Sequence, residues 1–507
     1  MKIFIYYISM KKSWKFIIIT LLIILGLFGV GVLYLFFVPG SSLFNITYIN
    51  KRTTVNSKSY DATEITTLEI NSNIYDVNIV SGTSDKISAS IKSTSFGFVT
   101  KANSVLGINE TYDENLNKLT FTSIEPSGFC TKGDSQITIY VPSNKSFDLI
   151  MNNKKSDATL NLAKSSTNSI GSLKYSSTSG SLSLENTTVY GPMDLNLNRS
   201  SFSISKTSDC SNAIVKIKAT SGKFNAPETF FKEVIVEQCS KGKINIGSCS
   251  ELKINCPSDG GSINVAESVL NVHATIGDAS MEIAEISGEA TIDIRKSASV
   301  KIKNLSNENT VSTLTQAKGT ISIEECHSSI TAYLQSGSLN INKAHKVIFV
   351  DSQNANVNIN FDEEAAAYTI ENNSRVLYGN IKNGSLTATG VEHIGKYEEN
   401  KKDNTFISIT GSAEVNINMS NVLGENIINA QDGKIKIVVD SADTIKFVLK
   451  TQCKNGSVRV NLSQTTEFNG YTTTELKETY VNCLISNNVL SIKGENSKIE
   501  VYDKNFA

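Results

Sequence analysis

The sequence shows no excess of basic residues. Its 507 residues include 48 lysines and arginines against 49 aspartates and glutamates, which gives a formal net charge of −1. Proteins that bind nucleic acids usually carry a basic surface that attracts the phosphate backbone. We therefore expect no nucleic-acid partner.

Signatures of catalysis and metal binding are also scarce. The four histidines, at 273, 327, 345 and 393, are scattered, and the eight cysteines include no CxxC pair. Zinc sites usually show closer ligand spacing, and a serine hydrolase needs a serine, a histidine and an acid that can meet. We interpret each histidine as a surface residue and expect no enzyme activity, metal or cofactor.

A hydrophobic run without a charged residue lies near the N-terminus. It reads FIIITLLIILGLFGVGVLYLFFV and covers 23 residues, 16–38. As an α-helix it would rise about 34 Å, enough to cross the hydrocarbon layer of a membrane with some tilt. The alternative is a cleaved signal peptide, but its apolar region is usually only about 7 to 15 residues long. We predict an uncleaved transmembrane signal anchor.

The positive charges beside this run lie on its N-terminal side. Three lysines directly precede it, whereas no basic residue follows until position 51. The positive-inside rule places the lysine-rich side in the cytoplasm, so residues 1–15 are predicted to be cytoplasmic and residues 39–507 extracytoplasmic. The flanks of the predicted anchor are Lys11, Lys12, Lys15, Phe16 and Val38.

Beyond residue 67 apolar and polar residues alternate. Runs such as KISASIK and KLTFTS have period two, which is typical of half-buried β-strands, and turn residues separate them. One six-residue phrase recurs in close variants: SGSLSL at 179, KGKINI at 241, GGSINV at 260, KGTISI at 318, SGSLNI at 336, NGSLTA at 383, DGKIKI at 432 and NGSVRV at 455. The spacing indicates a repeating unit of about 20 residues.

A unit of two short strands and two turns cannot bury its own apolar side chains. Stacked at about 4.8 Å, successive units would bury them together in one inner column, and glycine would supply the tight corner. We therefore predict an all-β protein, a β-solenoid (β-helix) of about 20-residue rungs, preceded by one transmembrane helix. A pair of β-sandwiches is the alternative fold.

Three segments resemble the putative-adhesin domain of bacterial surface proteins. They are SNIYDVNIVSGTSDKISASIK, SQITIYVPSNKSFDLIMNNKKSDATLNL and KYSSTSGSLSLENT, and the stretch from VLYGNIKNGS to SAEVNI resembles the end of the same domain. The resemblance covers roughly residues 65–420. It implies a membrane-anchored extracytoplasmic β-solenoid of unknown biochemical activity, without catalytic residues to transfer.

These observations divide the chain into five parts. The predicted parts are a cytoplasmic N-terminus (1–15), a signal anchor (16–38), a polar stalk (39–67), a putative-adhesin-like solenoid (68–420), and further rungs with a C-terminal cap from about Leu476 (421–507).

Two sets of residues are candidates for local roles. Cys239 with Cys256, and Cys453 with Cys483, are plausible disulfide pairs on the oxidising side of a membrane, although buried reduced cysteine is an equal alternative. An asparagine row occupies equivalent slots of the phrase at 245, 264, 340 and 416. It either binds the polar groups of a partner or is a solvated strand face.

The sequence therefore favours a structural or adhesive cell-surface protein. Its expected partners are the membrane and, beyond it, surface glycans, matrix or other envelope proteins. A second hypothesis is an envelope-sensing protein that signals to a membrane partner. A third is a polysaccharide lyase or hydrolase, which would need carboxylates, or a carboxylate with a basic residue, at matching positions on neighbouring rungs.

Overall fold

One α-helix precedes the β-structure. A computed structural model describes residues 12–37, 47–73, 75–99, 107–124, 128–132, 136–163, 169–258, 260–365, 367, 369, 374–395, 406–440, 445–462, 468–481 and 486–504. The helix, α1 (Lys12–Phe37), coincides with the predicted anchor run over most of its length. Its side chains are described over 16–31, where large apolar groups are exposed, among them Phe16 at 73% and Phe28 at 72%. Within the described part of the chain, no helix meets the length and hydropathy expected of a membrane span.

Strands make up most of the rest. The first strands are β1 (Thr47–Asn56), β2 (Tyr60–Asp61), β3 (Thr67–Ser72), β4 (Asp76–Gly82), β5 (Lys86–Val99), β6 (Gly107–Asp113), β7 (Lys118–Ile124), β8 (Gly128–Lys132), β9 (Gln136–Pro142), β10 (Ser146–Asn153), β11 (Asp157–Asn161), β12 (Ser169–Ser177) and β13 (Ser181–Glu185). The middle strands are β14 (Thr188–Val189), β15 (Met193–Asn198), β16 (Ser201–Ile204), β17 (Ile214–Thr220), β18 (Lys223–Ser240), β19 (Lys243–Cys256), β20 (Ser262–Ile276), β21 (Ser280–Ile286), β22 (Ala290–Leu305), β23 (Val311–Cys326), β24 (Ser329–Ala344) and β25 (Val347–Phe361). The last strands are β26 (Val376–Lys382), β27 (Ser385–Val391), β28 (His393–Ile394), β29 (Ile407–Thr410), β30 (Glu414–Met419), β31 (Glu425–Val439), β32 (Phe447–Asn461), β33 (Phe468–Val481) and β34 (Val489–Asp503).

The recurring phrases lie above one another. Between β10 and β31 successive rungs pair in parallel, and the fifth residue of each phrase, which lies between two inward apolar residues, falls in one continuous outward column. Its members are Thr159, Ser183, Ser203, Asn225, Asn245, Asn264, Glu282, Lys301, Ser322, Asn340, Asn358, Thr387, Asn416 and Lys436. The predicted β-solenoid is confirmed, and the sandwich alternative is wrong.

The inward positions form one core along the stack. Leu182 and Ile244 occupy the same phrase position in different rungs, and both are fully buried. Each such side chain contributes about 1.5–3 kcal/mol when it leaves water. Near the middle, rings of adjacent rungs also meet, with Phe202 and Phe224 stacked at a centroid distance of 5.7 Å. The core therefore exists only because rungs cover one another.

Glycine occupies the corner where many of the rungs turn onto their second face, although alanine stands there in others, such as Ala298 and Ala355. Gly337 has a φ of +95°, and a Cβ there would overlap the carbonyl oxygen of Gly319 on the previous rung. At Gly261 the backbone torsion is ordinary, but a Cβ would overlap the carbonyl oxygen of Cys239. The phrase keeps its glycine for backbone conformation in the first case and for close approach in the second.

The N-terminal stretch differs from the predicted polar stalk. Over the described residues of 39–67, β1 pairs antiparallel with β5, and β2 pairs with another part of β5. Ala62 and Ile65 are buried and belong to the hydrophobic core. Apolar side chains such as these are stable when they are buried against the rest of the fold. The stretch is therefore part of the folded domain.

The C-terminal stretch contains an internal rung as well as strands at the end of the stack. β34 lies inside the stack, with β31 on one edge and β32 on the other, both parallel to it. Ile499 and Val501 of β34 are fully buried. Beyond β34, β32 and β33 form an antiparallel pair. The last strand in sequence is therefore an internal rung.

Candidate functional site

The asparagine row forms a hydrogen-bonded ladder. The amide of Asn264 donates to Asn245 at 2.8 Å, and the amide of Asn245 donates to Asn225 at 3.0 Å. Farther along, Asn358 donates to Asn340 at 2.9 Å. Each of these side-chain amides donates to the side-chain oxygen of the asparagine on the preceding rung, so the row stabilises the stack. This geometry favours the solvated-face interpretation over a binding row.

A strip of aromatic and aliphatic side chains lies on the face formed by the first halves of the strands. We call Tyr333, Phe349, Tyr378, Phe406 and Ile427 the aromatic strip. Phe349 pairs directly with Tyr378, and the registers of the following strands place Phe406 and then Ile427 in the same column. Tyr333 packs diagonally against Phe349 at a ring-centroid distance of 5.9 Å, and Phe349 and Tyr378 are 5.0 Å apart.

The aromatic strip is open to solvent. Tyr333 is 46% exposed and Phe406 is 38% exposed, while Phe349, Tyr378 and Ile427 are half-buried. From Phe349 to Ile427 it covers four rungs, a length of roughly 14 Å at strand spacing. Exposed apolar side chains that lie next to one another indicate an interaction surface.

Polar groups follow the strip at one side. Asp351, Asn380, Ser408 and Asn429 form the adjacent outward column, two residues farther along each strand. Residues two apart on a strand share a face, so carboxylate, amide and hydroxyl groups lie beside the rings. The surface combines flat apolar contacts with hydrogen-bond donors and acceptors.

The carboxylate–base arrangement of the lyase hypothesis occurs at several places in the described stack, among them Lys174 with Asp194, Asp194 with Lys216, and Glu282 with Lys301. Glu282 and Lys301 pair on neighbouring rungs, and Lys301 Nζ lies 3.7 Å from Glu282 and 3.0 Å from Glu324. A lysine base requires a lowered pKa. Here Glu324 beside it raises the pKa of Lys301, so these exposed groups form ion pairs and keep the lysine protonated.

Three of the five residues that flank the predicted anchor lie in the described helix, and two lie outside the described residues. Lys12, Lys15 and Phe16 belong to α1. Lys11 and Val38 lie outside the described residues. The role of these residues stays a prediction.

The cysteines whose side chains are described are buried. In the structure Cys239 and Cys256 are thiols, and their sulfurs donate to different backbone carbonyls, those of Gly242 and Val236. Cys453 donates to the carbonyl of Ser497, and Cys483 lies outside the described residues. The two disulfides stay predictions, while the geometry matches the alternative of buried reduced cysteine.

Other cysteines are chemically quiet. Burial raises the pKa of the thiols of Cys210, Cys249 and Cys326 to about 12. Because the thiolate is the nucleophile and the metal ligand, these residues act as small apolar side chains.

The histidines do not share one environment. His273 is exposed, as predicted. His393, however, is only 5% exposed, its Nδ1 lies 2.7 Å from the carbonyl oxygen of Leu423, and burial lowers its pKa. His327 and His345 are stacked with ring centroids 4.1 Å apart. The prediction of four separate surface histidines is therefore wrong for three of them.

The comparisons with known proteins agree with the resemblance seen in the sequence. Residues 65–313 match the family model described as Toastrack DUF4097. Among the curated proteins nothing matches this chain. The similarity of residues 314–420 to the putative-adhesin domain stays a prediction.

The solved structures that are similar to the chain include two from bacteria. One is called a putative cell adhesion protein and comes from Clostridium sporogenes; it is 9% identical, and the match covers 90% of this chain and 100% of that chain at a TM-score of 0.15. The other is called a putative adhesin and comes from Parabacteroides merdae; it is 8% identical, with 77% and 91% covered at a TM-score of 0.14. Such low TM-scores carry no argument about function.

Proposed function

We propose that this chain, whose residues 65–313 belong to the toastrack family, is a non-catalytic, membrane-anchored surface protein that binds extended polysaccharide along its aromatic strip. The observation that carries the proposal is the column of half-buried and exposed rings at the surface, beside a column of polar groups.

The chemistry of the strip fits a sugar chain. A sugar ring has an apolar face that stacks on an aromatic ring, and hydroxyl groups at its edge that need hydrogen-bond partners. The rings of Phe349 and Tyr378 supply the first contact, and Asp351 and Asn380 of the adjacent column supply the second. A few well-placed polar groups among apolar ones are typical of ligand sites.

The size of the strip favours a glycan over a protein partner. A stable protein interface buries about 800 Å² on each partner and involves about 20–30 residues a side. Four members of the aromatic strip, from Phe349 to Ile427, form a line roughly 14 Å long at strand spacing, and Tyr333 lies diagonally beside Phe349 on the preceding rung. Such a narrow surface matches a single extended chain.

The N-terminal helix supports the anchor. A helix that is hydrophobic on all sides is buried in protein or in a membrane. In the structure, protein does not bury the described side chains of α1, since Leu22, Leu27 and Phe28 are all exposed. This favours burial in a membrane. With lysines on the N-terminal side alone, the solenoid would lie outside the cytoplasm.

The binding proposal is tested by co-sedimentation of the full chain, in detergent, with insoluble cellulose, chitin and peptidoglycan. We expect the wild-type chain to sediment with at least one of them. The double variant Phe349→Ser/Tyr378→Ser should bind about tenfold more weakly, because aromatic contacts contribute about 0.5–1.5 kcal/mol each beyond buried area.

A matched control separates the strip from exposed tyrosines in general. Tyr140 and Tyr190 are 42% and 45% exposed and lie outside the strip. Tyr140→Ser/Tyr190→Ser should bind as the wild type does. Equal binding by the strip variant, or binding to none of the three polysaccharides, would contradict the proposal.

The anchor is tested by cell fractionation. We expect the full chain in the membrane fraction and external protease to reach residues beyond 47. Leu25→Arg/Leu27→Arg places two charges in the middle of the run, each costing about 2.5–3.5 kcal/mol in a membrane, and should release the chain or block its insertion. A wild-type chain in the soluble fraction would overturn the anchor.

A further inference from the structure

Three successive rungs place ionisable side chains at the same corner. His327, His345 and Asp362 each follow the last inward residue of a rung. Their backbone amides donate to equivalent carbonyls one rung earlier, at 2.8, 2.9 and 2.9 Å respectively. The solenoid thus aligns residues that are 18 and 17 positions apart in sequence.

The side chains at this corner converge. Nε2 of His327 lies 3.3 Å from Oε1 of Glu325, and Nε2 of His345 lies 3.7 Å from the same oxygen. Nε2 of His345 is also 3.6 Å from Oδ2 of Asp362. One ligand atom each from Glu325, His327 and His345 falls within 4.8 Å of the others.

These separations fit a shared metal ion. Ligand atoms bound to one tetrahedral zinc ion at about 2.1 Å stand about 3.4 Å apart. The observed distances of 3.3–3.7 Å already approach that value. Small rotations of the half-buried side chains would complete the approach.

The state of His345 suits a ligand. Its Nε2 is buried and has no hydrogen-bond donor or acceptor partner of normal geometry. Burial, followed by the neighbouring His327, lowers the pKa of His345. The neutral imidazole is the form that binds a metal ion.

We propose that Glu325, His327 and His345, with Asp362 beside them, bind one divalent transition-metal ion, with Zn²⁺ as the best match. Two imidazoles with one or two carboxylates suit zinc, whereas Mg²⁺ and Ca²⁺ prefer oxygen ligands alone. Because the ligands come from successive rungs, the ion would join these rungs at their corner. This inference is independent of the aromatic strip.

The test is zinc binding to the full chain, stripped of metal and held in detergent, measured by equilibrium dialysis and calorimetry. We expect one high-affinity ion per chain and, in hydrogen exchange, slower exchange of residues 325–345 when zinc is present. Ca²⁺ and Mg²⁺ should produce neither effect. His327→Gln and His345→Gln should each weaken zinc binding by at least about tenfold, since losing even an outer partner of a ligand costs about that much.

Controls make each outcome decisive. His273→Gln removes an exposed histidine elsewhere on the solenoid and should leave binding unchanged. Circular dichroism of the metal-free variants establishes that they fold. Undiminished binding by His327→Gln/His345→Gln, loss of binding in His273→Gln, or no saturable binding by the wild type would overturn the assignment.

Discussion

The corner at Gly337 permits a quantitative test of the stack. In Gly337→Ala the new methyl group would overlap Gly319 O and Nε2 of Gln316. Gln316 is buried and donates to the carbonyls of Gly319 at 2.8 Å and Ser336 at 2.9 Å. The substitution must therefore displace the side chain that joins two consecutive corners.

The expected loss follows from two effects. A non-glycine residue at a φ of +95° costs about 1–3 kcal/mol in backbone strain. Each lost hydrogen bond of Gln316 adds about 0.5–1.5 kcal/mol. Taking values near the lower ends, we expect the free energy of local opening to fall by about 3 kcal/mol. This corresponds to an increase of roughly a hundredfold in the local opening equilibrium constant.

Hydrogen exchange detected by mass spectrometry is the appropriate assay, because repeat proteins open locally. Amides of residues 316–341 should exchange about a hundredfold faster in Gly337→Ala. Gly260→Ala is the matched control, since a Cβ there meets nothing closer than 3.4 Å and its φ is ordinary; it should be neutral or slightly stabilising. Wild-type exchange rates in Gly337→Ala would show that backbone strain and the hydrogen bonds of Gln316 do not stabilise this corner.

Two further predictions concern polar contacts. Glu392→Gln removes the carboxylate that lies 3.0 Å from the buried guanidinium of Arg375, and should lower the free energy of unfolding by about 3–5 kcal/mol in chemical denaturation. If Arg375→Met/Glu392→Leu costs as much as the single variant, the buried unpaired charge is not the cause. Asn245→Ala breaks the ladder on both sides and should lower the free energy of local opening, measured by hydrogen exchange, by about 1–2 kcal/mol. Thr387→Ala, from the same column, should lower it less.

The stack of rungs could be predicted because its cause is local. Alternation sets which side chains of a strand face inward, so Leu182 and Ile244 are recognisable as core residues from the phrase alone. Glycine at the corner marks the register. These signals do not depend on the length of the intervening turns.

The ends could not be predicted in the same way. β34 contains the same alternation as any rung, yet it lies between β31 and β32. A strand carries no record in its own sequence of which edge it will join, because parallel pairing depends on backbone groups.

The candidate sites were hidden by variable spacing. Phe349 and Tyr378 are 29 residues apart, whereas Tyr378 and Phe406 are 28 apart and Phe406 and Ile427 are 21 apart, so the strip has no fixed period. The histidine pair did offer a signal, because His327 and His345 are separated by the same 18 residues as Gly319 and Gly337. Reading every residue type at the period of the phrase would have placed these histidines together.

The most direct test of the binding claim uses tryptophan as a reporter on the strip. In a Trp14→Phe background, which removes the single native tryptophan, Phe349→Trp places a fluorophore in the strip and Tyr190→Trp places one outside it. On titration with a soluble fragment of whichever polysaccharide the chain sediments with (cellohexaose, chitohexaose or a peptidoglycan fragment), we predict a saturable blue shift of emission at position 349 and none at position 190. No shift at position 349, or equal shifts at both positions, would mean that the aromatic strip is not the binding surface.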